Sequence, residues 1–189
     1  MRVTAGADRG RKLRVPRGAT TRPTGAKVRE AIFNILGPPP PLHPVLDLFA
    51  GTGSLGIEAL SRGAVAADFV ERDARALGIL QRNLRELGFS GRTRAIGSSV
   101  RSALERMAGE ADGRVFGWVF VDPPYASGEV EPVLSMLAGG ELLAEGAVVV
   151  VEHDRRHLPG EVFGTLVMTD RRFYGDTGVS FYRPRRGLA

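Results

Sequence analysis

The stretch Val45-Leu-Asp-Leu-Phe-Ala-Gly-Thr-Gly-Ser-Leu-Gly56 constrains this chain more than any other. A short apolar run carries an acid, Asp47, near its end and passes at once into a glycine turn. The pattern is that of a buried strand, a tight loop and the first turn of a helix. Free backbone N–H groups and the positive end of the helix dipole converge at such a loop. A chain built on this unit is α/β, with a nucleotide-type cofactor site at the turn.

The flanking sequence repeats the alternation. Strands are expected at 45–49, 66–71, 93–97, 115–121 and 147–152, with helices near 53–62, 73–87, 99–107 and 128–138. Runs such as Val115–Val121 and Ala147–Val151 are apolar on both sides of the strand. That is the composition of a parallel sheet covered on both faces, hence a doubly wound, Rossmann-like arrangement. The ending differs: Val162–Thr169 and Val179–Tyr182, with Gly175-Asp-Thr-Gly178 near their junction, predict a C-terminal antiparallel hairpin. At the other end, residues 1–20 suggest a small hairpin or extended arm. Thr24 is placed to cap a helix over 25–36, with Val28, Ile32 and Ile35 or Leu36 buried and Lys27 and Arg29 off that stripe. Pro38–Pro41 then forces an extended linker. The expected organisation is an arm over 1–37 and a main domain over 44–189.

Charge is distributed as unevenly as secondary structure. The chain carries a net +5, of which residues 1–29 hold +8 and residues 171–189 hold +4, leaving −7 for residues 30–170. Basic ends on an acidic body predict that a polyanion is gripped by the termini. The plainer reading is a solubilising tail, or the arginine usage of a GC-rich genome. With no cysteine in 189 residues, disulfide scaffolds and thiolate metal sites are excluded. No apolar run approaches the ~18 residues of a membrane span. A cytoplasmic monomer with no membrane partner is expected.

Which cofactor the loop serves depends on its acids. Gly51-Thr52-Gly53-Ser-Leu-Gly56 formally satisfies the dinucleotide fingerprint, and Glu71 ends the next strand, where a carboxylate would accept from ribose hydroxyls. NAD is therefore a competitor. Asp47 directly before the turn would repel a pyrophosphate but suits a ligand with an ammonium group, so S-adenosylmethionine fits the acid-loop-acid pattern better. A glycine turn that merely packs helix on strand would need neither acid. Phe49 and Arg72 flank the two acids and are candidate cofactor contacts. Ser98, after the third strand, is placed to meet an adenine amino group, although a serine pair is also an ordinary helix cap.

The chemistry is expected at Asp122-Pro123-Pro124-Tyr125, which follows a strongly apolar strand. Ligands of open parallel sheets bind beyond the carboxyl ends of the strands, so this tetrapeptide should face the cofactor crevice. An exocyclic base amine is a poor nucleophile because its lone pair is delocalised into the ring. Hydrogen bonds from its N–H groups to the Asp122 carboxylate and the Pro123 carbonyl would favour a pyramidal, nucleophilic nitrogen. The prolines fix the backbone, and Tyr125 would stack on an extruded base, worth about 1–3 kcal/mol.

Asp47-Leu-Phe-Ala-Gly-Thr-Gly-Ser-Leu-Gly, Asp122-Pro-Pro-Tyr, Thr21-Arg-Pro-Thr24 leading into Lys27–Leu36, and Arg172-Phe-Tyr-Gly175 together resemble the bacterial 16S rRNA guanine-N2 methyltransferases, whose family name carries position 966. The resemblance covers nearly the whole chain. The glycine loop and Asp-Pro-Pro-Tyr are common to many amino-methyltransferases, while the Thr-Arg-Pro-Thr arm is more particular. It implies S-adenosylmethionine as methyl donor and a guanine N2 amine in the 16S rRNA of the small (30S) subunit as acceptor. It also implies cofactor contacts at Asp47, Gly51, Gly53 and Glu71, with target-base contacts at Asp122 and Tyr125. Arg22, Thr24, Lys27, Arg29, Arg172 and Tyr174 would then border the substrate entrance. Ser98 departs from the acid often found at its position. An adenine-N6 methyltransferase and a non-catalytic cofactor- or RNA-binding module are the alternatives.

Three histidines invite a metal reading, but Pro159 truncates any helix carrying His153 and His157, and no third ligand is near. With His43 they are expected at the surface, and no metal is expected. Glu152-His153-Asp154 reads as a strand end without a nucleophile partner. Trp118, in mid-strand, is expected in the core.

Overall fold

The computed structural model describes residues 1–16, 25–110, 113–124 and 128–185. Its frame is an eight-stranded sheet in the order β3-β2-β1-β4-β5-β8-β7-β6. The strands are β1 (Val45–Leu48), β2 (Ala67–Glu71), β3 (Thr93–Gly97), β4 (Phe116–Val121), β5 (Leu143–Asp154), β6 (Val162–Phe163), β7 (Leu166–Tyr174) and β8 (Thr177–Pro184). The first five pair in parallel and the last three antiparallel, with β8 inserted beside β5. The fold is the expected doubly wound α/β sheet with its antiparallel C-terminal hairpin.

Two apolar layers cover the sheet, as strands apolar on both sides require. On one face Val45, Phe69, Trp118, Phe120, Val148 and Val150 pack with α1 (Ala26–Leu36), α2 (Ser54–Ser61) and α3 (Ala74–Glu86). On the other, Leu46, Leu48, Val119, Val121, Val149 and Val151 pack with α4 (Val100–Ala108) and α5 (Val130–Gly139). Trp118 is core as expected, edge-on to Phe33 at 5.9 Å between ring centroids. The arm feeds the first layer: Val3 and Leu13 join Ile32 and Phe33 there, and an Arg2–Lys12 bridge closes its small hairpin.

Several local expectations are corrected. Helix α1 buries Val28, Arg29, Ile32 and Phe33, while Ile35 is exposed. The helix is thus turned so that Arg29 lies on the buried face, because Glu58 waits there to pair with it. The N-cap is Gly25, without a side-chain bond; Thr24 lies outside the described residues. The run 162–169 is not one strand. Gly164 turns the chain at φ 51°, so β7 begins at Leu166 and continues to Tyr174. Strand β5 is twice the expected length, accommodated by a register shift opposite Phe116–Trp118. His153 is buried rather than exposed, accepting at Nε2 from the Ser180 hydroxyl at 2.9 Å.

Candidate active site

Strand β1 ends on an unusual backbone. Phe49 has φ 60°, in the left-handed region that bulky residues avoid, and no other described non-glycine residue has positive φ. The strained residue turns the chain out of the sheet and into the glycine loop. Gly53, at φ 87°, begins α2. Gly56 packs so closely on the Phe69 ring that a Cβ would collide with it, which seats the helix directly on β2. Asp47 lies behind this loop, 2 % exposed, and its Oδ2 accepts from the Gly56 N–H at 2.8 Å. Burial pushes its carboxyl up to about 8 against the Gly56 bond, with repulsion from Glu71 adding to the rise.

At the end of β2, Glu71 faces the loop from the other side. Its Oε2 accepts from the Gly51 N–H at 2.8 Å and its Oε1 from the Asp73 N–H at 2.7 Å. Asp73 in turn caps α3 through the Ala76 N–H. Ser99, not Ser98, caps α4, and the Ser98 hydroxyl donates to the Ser99 carbonyl.

These pieces border one open cleft of about 1780 Å³ at the carboxyl edge of the parallel strands. Phe49, Gly51, Thr52, Glu71, Arg72 and Ser98 line one part of it, and Asp122, Pro123 and Pro124 another. Asp47 and Gly53 are not on its wall and act by shaping the loop. Arg72 is mainly exposed and faces Glu129 at 3.8 Å. The arm closes the opposite wall with Met1–Thr4, Arg9, Gly10, Arg29 and Glu30.

The expected substrate residues are less uniform. Arg22, Thr24 and Tyr125 lie outside the described residues. Lys27 is exposed at the start of α1. Arg29, 1 % exposed, is anchored to Glu58 at 3.4 Å and to the Arg2 carbonyl at 2.7 Å, so its guanidinium is a strut between arm and body. Arg172 is exposed with its Nε on Asp170 at 2.9 Å, and Tyr174 packs against the first apolar layer. Glu152 and Asp154, expected only as a strand end without a nucleophile partner, both line the cleft. The signal was an acid closing the otherwise apolar run Ala147–Val151.

Residues 1–183 match the family model described as Conserved hypothetical protein 95. The ribosomal RNA small subunit methyltransferase D of Escherichia coli (strain K12) is 39 % identical over 154 residues, 82 % of this chain and 75 % of that protein. YlbH of Bacillus subtilis (strain 168), provisionally named an rRNA methyltransferase, is 40 % identical over 185 residues, 98 % of this chain and all of its own length. The solved structure of yhhF from Escherichia coli superposes with a TM-score of 0.81 at 33 % identity, covering 98 % of both chains. The fold therefore has its counterpart in a solved relative, and the chain belongs to the Conserved hypothetical protein 95 family, that of the ribosomal RNA small subunit methyltransferases D.

Proposed function

We propose that the protein is an S-adenosylmethionine-dependent methyltransferase acting on the exocyclic N2 amine of a guanine, the 966-equivalent, in 16S rRNA of the small subunit. The observation that carries the reading is the shared cleft. The Phe49–Gly51 loop with Glu71, and Asp122-Pro-Pro124, open into the same space from neighbouring strands. The relatives' names supply the substrate class, ribosomal RNA.

The residues present fit the donor. Gly51 has open space where a side chain would stand, so backbone can approach a ligand closely, and Glu71 sits at the strand end where ribose hydroxyls can donate to it. The donor supplies an electrophilic methyl group on a sulfonium. Asp122 accepts a hydrogen bond from the target amine and orients its lone pair toward that methyl. Transfer would form the N–C bond as the donor's C–S bond breaks, and the amine's surplus proton would leave to solvent, to which the cleft is open. Pro123 and Pro124 hold the turn, while Tyr125 is assigned the stacking of the extruded base. Lys27, Arg22 and the arm would contact the phosphate backbone. Most of the rate then comes from positioning.

The test is labelled methyl transfer to small subunits, free 16S rRNA and duplex DNA, followed by nucleoside analysis. N2-methylguanosine from the ribosomal substrates is the expected product. N6-methyladenosine in its place would overturn the assignment.

A further inference from the structure

Strands β4 and β5 run in parallel with Val121 opposite Val151, so Asp122 and Glu152 are the next residues along each. Alternation puts both on the face of Phe120 and Val150, the face covered by the arm and α1. Glu152 stands opposite Val179 of β8, a residue of that same layer. Glu152 is only 5 % exposed, yet it borders the cleft beside Asp122. Glu152 thus stands at the wall of the cleft on the strand next to that of Asp122.

Resting on the reading of a guanine-N2 acceptor, we propose that Glu152 reads the base by accepting the hydrogen bond of its N1–H. A guanine with its N2 amine at Asp122 has its N1–H as the adjacent donor on the same edge. Adjacent strands lie about 4.8 Å apart, and the extra methylene of glutamate over aspartate lets the second carboxylate lean toward the neighbouring position. Adenine offers a lone pair at N1 and would face a carboxylate unfavourably. Asp122 thus serves the reacting amine, and Glu152 determines which purine presents it. Flipped bases are read on this edge in other nucleic-acid-modifying enzymes.

The test replaces the guanine that the wild-type enzyme methylates with 2-aminopurine, which keeps the N2 amine but has a lone pair at N1. Wild type should prefer guanine by about 100-fold or more in kcat/KM, as expected for a site built to pair a donor. In Glu152→Gln the amide can donate to N1 of 2-aminopurine, so the preference should collapse to within about 3-fold while affinity for S-adenosylmethionine changes by less than about 2-fold. A purely structural role would lower both rates and leave their ratio intact, and an unchanged ratio overturns the proposal. Should Glu152→Gln unfold, Glu152→Asp provides the same ratio, expected to narrow because the acceptor is withdrawn by one methylene. Wild-type transfer to adenine instead of guanine would remove the parent reading, an outcome separate from a wild type that methylates guanine and 2-aminopurine equally, which would overturn only the role of Glu152.

Discussion

Arg29 and Glu58, each 1 % exposed, face each other at 3.4 Å where the arm helix meets the first helix of the cofactor loop. Glu58 also accepts from the Thr4 N–H at 2.8 Å, the Thr4 hydroxyl at 2.6 Å, the Ala5 N–H at 2.9 Å and Arg62 Nε at 2.9 Å. Burial alone would push this carboxyl up, but the Thr4 bonds with Arg62 and Arg29 outweigh it and hold it below its usual value. One carboxylate therefore ties three segments together, and the cleft's arm wall depends on it.

Glu58→Gln keeps the volume but removes the negative charge that Arg29 and Arg62 both face. Breaking such a buried pair should cost about 3–5 kcal/mol, read as a lower denaturant midpoint. A loss under about 1 kcal/mol would show that the arm docks through its apolar residues alone.

Arg29→Ala and Lys27→Ala should separate structure from substrate contact. The exposed Lys27 should weaken small-subunit RNA binding and flatten its salt dependence by about one unit of slope, with stability unchanged. Arg29→Ala should lower the melting temperature first, since its guanidinium is spent on Glu58 and the Arg2 carbonyl. Equal stability of both variants would contradict that division.

Asp47 introduces a pH dependence of known sign. Its folded value of about 8 lies above its ordinary 3.8, so the folded state holds a proton that the unfolded chain has released. Stability from this group is complete below about pH 4 and is lost as pH rises toward 8, by at most about 1.4 kcal/mol per pH unit. Asp47→Asn removes the titration, so the stability difference between variant and wild type should grow from pH 4 to 8 and level off above. A constant difference across that range would contradict the buried, protonated carboxyl.

His153 runs the opposite way. Burial lowers its value below 6.5 against the helping Asp154 carbonyl, with Arg171 repelling the charge. The neutral ring accepts from Ser180, and Arg171 Nε donates to the same hydroxyl at 2.9 Å. Stability is present above pH 6.5 and is lost as pH falls through the folded value. His153→Gln should flatten the melting-temperature profile between pH 7 and 5; an equally steep profile would place the titration elsewhere.

Asp122→Ala should lower turnover at least about 100-fold while leaving S-adenosylmethionine affinity within about 2-fold, measured by calorimetry and single-turnover transfer. A matching loss of cofactor affinity would assign Asp122 to the donor site instead.

Sequence alone determined the parallel sheet, the turn at Gly51–Gly56 and the position of Asp122-Pro-Pro124, because strand hydrophobicity, glycine spacing and proline constraint are local properties. It also carried the antiparallel ending through Gly175–Gly178. It could not orient Asp47, whose carboxyl group accepts from the Gly56 N–H where that glycine packs against Phe69, an arrangement that only the folded sheet and helix bring together. Nor could it tell that Arg29 is a buried strut, because its partner Glu58 lies 29 residues away. Glu152 became part of the cleft only through the pairing of β5 with β4 and β8, a register that the strand's own residues do not encode. Local patterns decide which elements form; long-range pairing decides which side chains meet.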